Sequence, residues 1–421
     1  MRQLFSRDTW QEVFDSIRKN RVRTVITVVG VLWGIFIYIV LSGAAKGLDN
    51  GFERDFEKVS KNSMFLWTQP TSIPHGGFKI GRRFDLKHTD IEIFKARVPS
   101  IEHIAPRNVK GRWGSPPAKV THGQQSGQYT IYGDIPTFTK IFSKKFYDGG
   151  RFINEIDQAE ARKVCIIGER IQNELFEVDE SPVGQYISID GIYFLVIGVH
   201  VYEQEGGFNS DSDIHIPFST YQKIYNQADK VGWFAMSAYD NTDVVQVEED
   251  IKDLAKELYN VHPDDERAIG SFNLGREFRR VSGFAKGVTF ISIVVGIATI
   301  LAGVIGIGNI LLISVKERTK EFGIRRALGA TPGEIRSQIL LESIFLTLSS
   351  GIVGIVLGSL VLTLIRSATQ RQSEFPFTNP TVPVLLVACS MLIMVVLGSL
   401  IGLIPAQRAV SIKPIDALRE E

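Results

Sequence analysis

The residues able to do chemistry in this chain are few and scattered. Its seven histidines, His75, His88, His103, His122, His200, His215 and His262, show no metal-ligand spacing. There is no H-E-x-x-H, C-x-x-C or G-x-S-x-G to assemble a hydrolytic or redox site, and no Walker-type glycine loop to cradle ATP phosphates. VCIIGERI places one glycine after an apolar run, but the second and third glycines of a dinucleotide fingerprint are missing, so it reads as a plain turn. Asn209, Asp211 and Asp213 alternate oxygens as a calcium loop does. Neither the glycine nor the distal glutamate of an EF-hand follows, so a solubilising loop is expected there. No enzyme activity, metal or cofactor is expected in the chain itself.

The informative chemistry is charge. KERTKEFGIRRALGATPGEI, from Lys316 to Ile335, is a dense charged patch with charge-free apolar runs on both sides. Membrane anchoring accounts for Lys316, Arg318, Lys320, Arg325, Arg326 and Arg336. It does not account for Glu317, Glu321 and Glu334 interleaved with them, nor for Gly323, Ala327, Gly329 and Ala330 at positions suited to close approach. Thr331-Pro332-Gly333-Glu334 offers a capping hydroxyl, a proline at a first helical position and an acid in the first turn, which together predict a helix start. The patch reads as a short surface helix presenting charge to a partner.

Four charge-free stretches, Thr24 to Ala45, Gly287 to Val315, Ser343 to Ile365 and Val384 to Ala406, reach the ~20 residues needed to cross a bilayer core. Cations before the first stretch, between the second and third, and after the fourth place those three segments in the cytoplasm. The pattern predicts a cytoplasmic interfacial helix at residues 1–21, carried by Trp10, Val13, Phe14 and Ile17 on one face. Transmembrane helices follow at 22–45, 284–315, 337–365 and 384–406. They separate an extracytoplasmic domain (46–283), a cytoplasmic coupling loop (316–336), a short extracytoplasmic loop (366–383) and a cytoplasmic tail (407–421), so both termini are cytoplasmic. Ser42-Gly43-Ala44-Ala45 resembles a cleavage site, but the apolar run before it is long for a leader, and a span is expected. Lys and Arg number 47 against 46 acids, a balance that argues against a nucleic-acid partner. Cys165 and Cys389 fall in different compartments, so no disulfide is expected.

The outer segment mixes strand and helix signals. Ser63 to Thr68, Lys119 to Val120, Tyr129 to Tyr132 and Arg162 to Ile167 read as strands. Lys87 to Arg97, Glu169 to Phe176 and Val244 to Tyr259 read as helices, and Asp190-Gly191 joins two strands in a hairpin. The fold class is thus a four-helix membrane protein with a large α+β extracytoplasmic domain in two lobes. Within the membrane, Glu342 is either a coupling residue or a hydrated interfacial acid. Ala302, Gly303 and Gly306, with Gly308, form a small-residue face expected to pack a dimer.

VKERTKEFGIRRALGATPGEIRSQILLES resembles the cytoplasmic loop of MacB-type ABC transporter permeases, a group that includes the LolC/LolE and FtsX proteins. NRVRTVITVVGVLWGI, GGRFINEIDQAEARKVCIIGERIQNELF, VGQYISIDGIYFLVIGV and PAQRAVSIKPIDALREE agree with that resemblance, which covers nearly the whole chain. It implies a multi-pass protein of the bacterial inner membrane that works as a homodimer or with a related permease. It further implies a separate ABC ATPase subunit in trans that binds ATP and Mg. ATP hydrolysis would drive the periplasmic domain by mechanotransmission to export or extract a substrate, with a periplasmic adaptor and outer-membrane channel as further partners beside membrane lipid. Glu317, Arg318, Glu321, Arg325, Arg326 and Glu334 match the loop that docks the ATPase. The alternative is FtsX-like signalling that regulates a cell-wall hydrolase or sensor without transport.

Overall fold

The computed structural model describes residues 21–57, 59–147, 149–177, 180–201, 209–369, 378–382 and 384–411. The amphipathic helix expected at 1–21 and most of the tail expected at 407–421 lie outside the described residues. The chain divides into two compact units, one of Glu53–Arg280 and one of Met1–Phe52 with Val281–Glu421.

Helix α1 (Arg21–Asp55) opens the described chain. Then come β1 (Ser63–Thr68), β2 (Leu86–Lys87), α2 (Asp90–Arg97), β3 (Ile101–Lys110), β4 (Ala118–His122), β5 (Gln125–Asp134), α3 (Phe138–Ile141), α4 (Glu155–Ala159), β6 (Val164–Gly168) and α5 (Glu169–Leu175). The outer unit continues with β7 (Tyr186–Ile189), β8 (Ile192–His200), β9 (Asp213–Pro217), α6 (Phe218–Ile224), β10 (Lys230–Val231), β11 (Trp233–Ala238), α7 (Val244–Leu258) and β12 (Ile269–Asn273). Four more helices follow: α8 (Leu274–Glu317), α9 (Thr319–Ala327), α10 (Pro332–Thr369) and α11 (Val384–Ser411).

The outer unit has two cores on one ten-stranded sheet, ordered β12-β1-β11-β3-β5-β4-β7-β8-β6-β9. In the first, β12, β1, β11 and β3 are antiparallel. Met64, Leu66, Phe234 and Met236 leave alternate positions of β1 and β11 to meet Phe94 of α2 and Val247, Ile251 and Leu254 of α7. That helix buries Val244, Val247, Ile251, Leu254 and Ala255, a helical-period stripe, and Asp243 caps it by accepting the Val245 N–H at 2.9 Å. In the second lobe β9 pairs in parallel with β5 and antiparallel with β6, so β5, β4, β7, β8, β6 and β9 close on themselves. Val120, Ile131, Ile167, Ile187, Val196 and Ile214 form its core with Ile171 and Leu175 of α5. The β7–β8 hairpin turns where the sequence indicates, with Asp190 at φ 47° and Gly191 at φ 86°, both left-handed as a two-residue hairpin turn requires. Gly168, the glycine of VCIIGERI, owes its identity to packing: a β-carbon there would fall 1.9 Å from the Asp211 carbonyl oxygen.

α1, α8, α10 and α11 are long and apolar enough to cross a membrane. α1 ends ten residues beyond the span expected at 22–45, and α8 begins ten residues before the one expected at 284–315. Hydropathy marks the crossing length, whereas the polar extensions keep helical structure once the crossing has nucleated it. Glycines let the four helices approach. A β-carbon at Gly354 would lie 2.8 Å from the Leu32 carbonyl, one at Gly358 2.7 Å from Ile39, and one at Gly398 2.9 Å from Thr347. Ser343 donates to the Gly398 carbonyl at 2.7 Å, locking α10 to α11. Gly303 belongs to this intrachain packing: its β-carbon would meet the Val31 backbone nitrogen at 2.8 Å, and Gly308 faces Ile401 of α11. The small-residue face expected at a dimer seam is therefore split. Gly303 serves the α1–α8 contact, Gly306 is half-buried and Ala302 is exposed.

Candidate functional site

The charged patch folds as one turn-bounded helix between two membrane helices. α8 stops at Glu317, and Arg318 leaves helical geometry at φ −99°, ψ 13° before α9 begins. At the far end Gly329 takes φ 103°, a left-handed conformation that favours glycine, and turns the chain toward α10. Thr331 and Glu334 then cap α10 reciprocally: the Thr331 N–H donates to Glu334 Oε2 at 2.9 Å and the Glu334 N–H to Thr331 Oγ1 at 3.3 Å. Pro332 sits in the first turn, as its missing N–H allows.

α9 rests on an apolar base. Phe322 is buried with Val315 of α8, Ile335 and Ile339 of α10, and Ala406 and Ala409 of α11. An ionic network surrounds this base. Arg318 donates to Glu321 through Nε at 2.9 Å and Nη2 at 3.1 Å, a two-point contact that fixes the guanidinium plane. Its third nitrogen, Nη1, lies 3.9 Å from Oε2 of the buried Glu342, and the Arg318 guanidinium carbon stands 4.9 Å from the centre of the Phe322 ring. Arg325 donates to Glu321 at 2.7 Å and to Gln338 at 3.4 Å, while Arg326 reaches the Val410 carbonyl at 2.8 Å. Three helices are thus tied to α9 by side chains from α9 and the residue before it.

The six residues expected to dock a partner consequently divide by role. Arg318 is turned inward, with 12% of its side chain exposed; its partner Glu321 is half-exposed and is shared with the half-exposed Arg325. Arg326 holds the end of α11 and Glu334 the start of α10. Glu317 lies on the exposed face with Lys316 and Lys320. Glu342 is buried and faces Arg318. Two residues of that exposed face escaped sequence reasoning, Ile324 at 43% and Leu328 at 83% exposure. The available signal was the position of Leu328 beside Gly329, where a helix end lifts a side chain off its base.

In the outer unit Asn209 accepts from Arg107 Nη2 at 2.6 Å and Asp213 accepts the Ser210 N–H at 2.6 Å, so these oxygens are committed to the protein. Among the described residues no cluster of His, Cys, Asp and Glu could hold a metal ion.

Four membrane-crossing helices, an α/β domain inserted after the first, and a charged helix between the second and third define a multi-pass permease. Residues 24–254 match the MacB-like periplasmic core domain and residues 293–414 the FtsX-like permease C-terminal domain; the chain belongs to the family of MacB-type ABC transporter permeases. It is 28% identical over 408 residues to the pyoverdine export ATP-binding/permease protein PvdT of Pseudomonas putida, covering 96% of this chain and 58% of that protein. It is 26% identical over 417 residues to the macrolide export ATP-binding/permease protein MacB of Bdellovibrio bacteriovorus, covering 97% and 61%. The chain thus spans about three fifths of the length of these two relatives. The uncharacterized ABC transporter permease YknZ of Bacillus subtilis matches over nearly its whole length, 26% identical over 416 residues, with 96% of this chain and 97% of that protein covered. Among solved structures, the periplasmic region of MacB from Actinobacillus actinomycetemcomitans aligns with a TM-score of 0.43 and 17% identity over 53% of this chain and 94% of that one.

Proposed function

We propose that this chain is the permease subunit of an ABC transporter whose ATPase is a separate polypeptide docking on α9. ATP and Mg are bound by that ATPase, and its movement is passed to the outer domain to export or extract a substrate on the far side of the membrane. The observation that carries this reading is the construction of α9. An apolar base and an ionic network fasten it to α8, α10 and α11, while its outer face presents Ile324 and Leu328 among charges. A membrane anchor needs cations alone. A helix that receives force needs a rigid underside and an adhesive outer side, and apolar side chains ringed by charge form such a contact.

The route from α9 outward is continuous in the chain. α8 runs unbroken from Leu274, directly after β12, to Glu317, beside α9. Forty-four residues at ~1.5 Å each give α8 a contour length of about 66 Å. Its first turn is anchored in the outer unit, where Asn273 Oδ1 accepts the Arg276 N–H at 3.0 Å and Arg276 pairs with the buried Glu248 at 2.9 Å. Cytoplasmic placement of α9 and of both termini is part of this proposal, and the cation distribution supports it. The export names of PvdT and MacB favour transport over signalling.

The test is purification of the tagged chain from its native membrane in mild detergent, with and without Leu328→Asp. The unmodified chain is expected to bring down an ABC ATPase in stoichiometric amount, and the variant to lose it while remaining folded. Retention of the ATPase by the variant would remove α9 as the docking element.

A further inference from the structure

The second face of the open sheet carries aromatic side chains where alternation allows polar, solvated ones: Phe65 and Trp233 are buried, Phe65 against Phe142 at 5.6 Å, whereas Trp67 and Phe272 stay half-buried. Met64, Leu66, Phe234 and Met236 face the helices, so the intervening residues of β1 and β11 point the other way. They include Phe65 and Trp67 of β1 and Trp233 and Ala235 of β11, joined in register by Phe272 and Gly270 of β12: Trp67 stands opposite Trp233 on one side and Gly270 on the other, and Phe65 opposite Ala235 and Phe272. Gly270 leaves room for the Trp67 indole to lie across the sheet, since a β-carbon there would fall 2.3 Å from the indole nitrogen. Phe65 and Phe272 stack with ring centres 6.1 Å apart, and Phe65 meets Trp233 edge-on at 5.6 Å.

These rings line a concavity of about 530 Å³ together with Thr68 and Trp113, a size in the range of small-molecule sites and too small for a folded partner. Trp113 is the unusual member. It stands 76% exposed, in the loop between β3 and β4, and takes φ 51° between Gly111 and Gly114, which are also left-handed. A bulky residue at positive φ is an outlier, and a solvent-facing indole there gains nothing for the fold. Its position at the mouth of a ring-lined concavity supplies a reason for both features.

We infer that this concavity is a binding site for a flat aromatic small molecule, held by stacking against Trp67 and under Trp113. The occupant is aromatic because the walls are rings, which gain more from a second π-face than from an aliphatic surface of equal area. Its recognition rests on shape and π-character first: Thr68 already donates its hydroxyl to the Phe84 carbonyl at 2.8 Å, and the buried lining donor left over is the Trp233 indole N–H. The inference concerns the outer unit alone and stands apart from the docking of an ATPase on α9.

The experiment is calorimetric titration of the full chain in lipid nanodiscs with 2-naphthol and, separately, with its saturated analogue decahydro-2-naphthol, empty nanodiscs serving as the blank. Saturable binding of 2-naphthol at one site per chain is expected, with the saturated analogue weaker. Trp113→Gly keeps the loop geometry without strain and should weaken 2-naphthol by about threefold to tenfold, the worth of one aromatic pair; Trp113→Phe should retain most of the affinity. Heat no greater than that of empty nanodiscs would overturn the inference. So would equal affinity for the two alcohols, which describes a greasy surface, or an affinity that Trp113→Gly leaves unchanged.

Discussion

Arg318 divides its guanidinium between Glu321, at hydrogen-bond distance, and Glu342, at 3.9 Å. Truncating it to alanine deprives a buried carboxylate of this cation, a change that costs about 3 kcal/mol or more when the partner has no access to water. Arg318→Ala should therefore lower the thermal midpoint of the purified chain, and Glu342→Gln added to it should restore part of the loss, because a neutral amide tolerates burial better than a carboxylate that has lost this cation. Equal losses in the single and double variants would show that Glu342 does not depend on Arg318. A second residue-scale prediction concerns pH. Burial lowers His200 to about 2, aided by Lys144, and burial lowers His215 to about 4 against the opposing hydrogen bond to Asp134. Both are neutral when folded and take up protons when unfolded, so the stability they provide is complete above the ordinary value of 6.5 and is lost as pH falls below it. Between there and about pH 5 each histidine removes roughly 2 kcal/mol. Asp213, raised by burial to about 6, opposes this with a smaller gain on protonation. Thermal unfolding from about pH 7 to pH 5 should show a falling midpoint, and the slope should be shallower in His200→Gln.

At the scale of elements, α9 and the first turn of α8 carry the argument. Glu248 accepts from Asn273 at 2.7 Å and from Ser271, and pairs with Arg276 and Lys252. Glu248→Ala should loosen the start of α8, costing the outer unit about 3 kcal/mol. Hydrogen exchange should then rise in residues 273–280 before it rises in the strands; uniform exchange would mean that Glu248 stabilises the sheet generally. The elements legible in the sequence were those whose signals are local: the Asp190-Gly191 hairpin, the amphipathic stripe of α7, the Thr331–Glu334 cap. β3, β9, β11 and β12 were not read, because their signals are non-local. Arg107 sits in the middle of β3 and reads as a surface residue, yet it is wholly buried, bonded to Asp134 at 2.6 Å and enclosed by the Tyr132 and Phe138 rings at 3.8 and 4.2 Å. Charge on α9 was equally visible, but which charges turn inward depends on Glu342 and Gln338, about one helical turn apart on another helix.

For the whole molecule, the span count and the α+β character of the outer domain followed from segregation of apolar and polar sequence, and the two lobes correspond to two cores on one sheet. Hydropathy did not resolve small-residue faces, since glycines that pack within the chain, such as Gly303, have the same spacing as glycines that would pack a dimer. The central claim is that force from a soluble ATPase enters through α9. Its most direct measurement is photocrosslinking in intact membranes from a benzoyl-phenylalanine placed at Leu328, with one at the exposed Tyr193 of the outer unit as reference. A crosslink from position 328 to an ABC ATPase, and none from 193, is expected. Crosslinks from 328 to lipid alone, or to the ATPase equally from both positions, would contradict the claim.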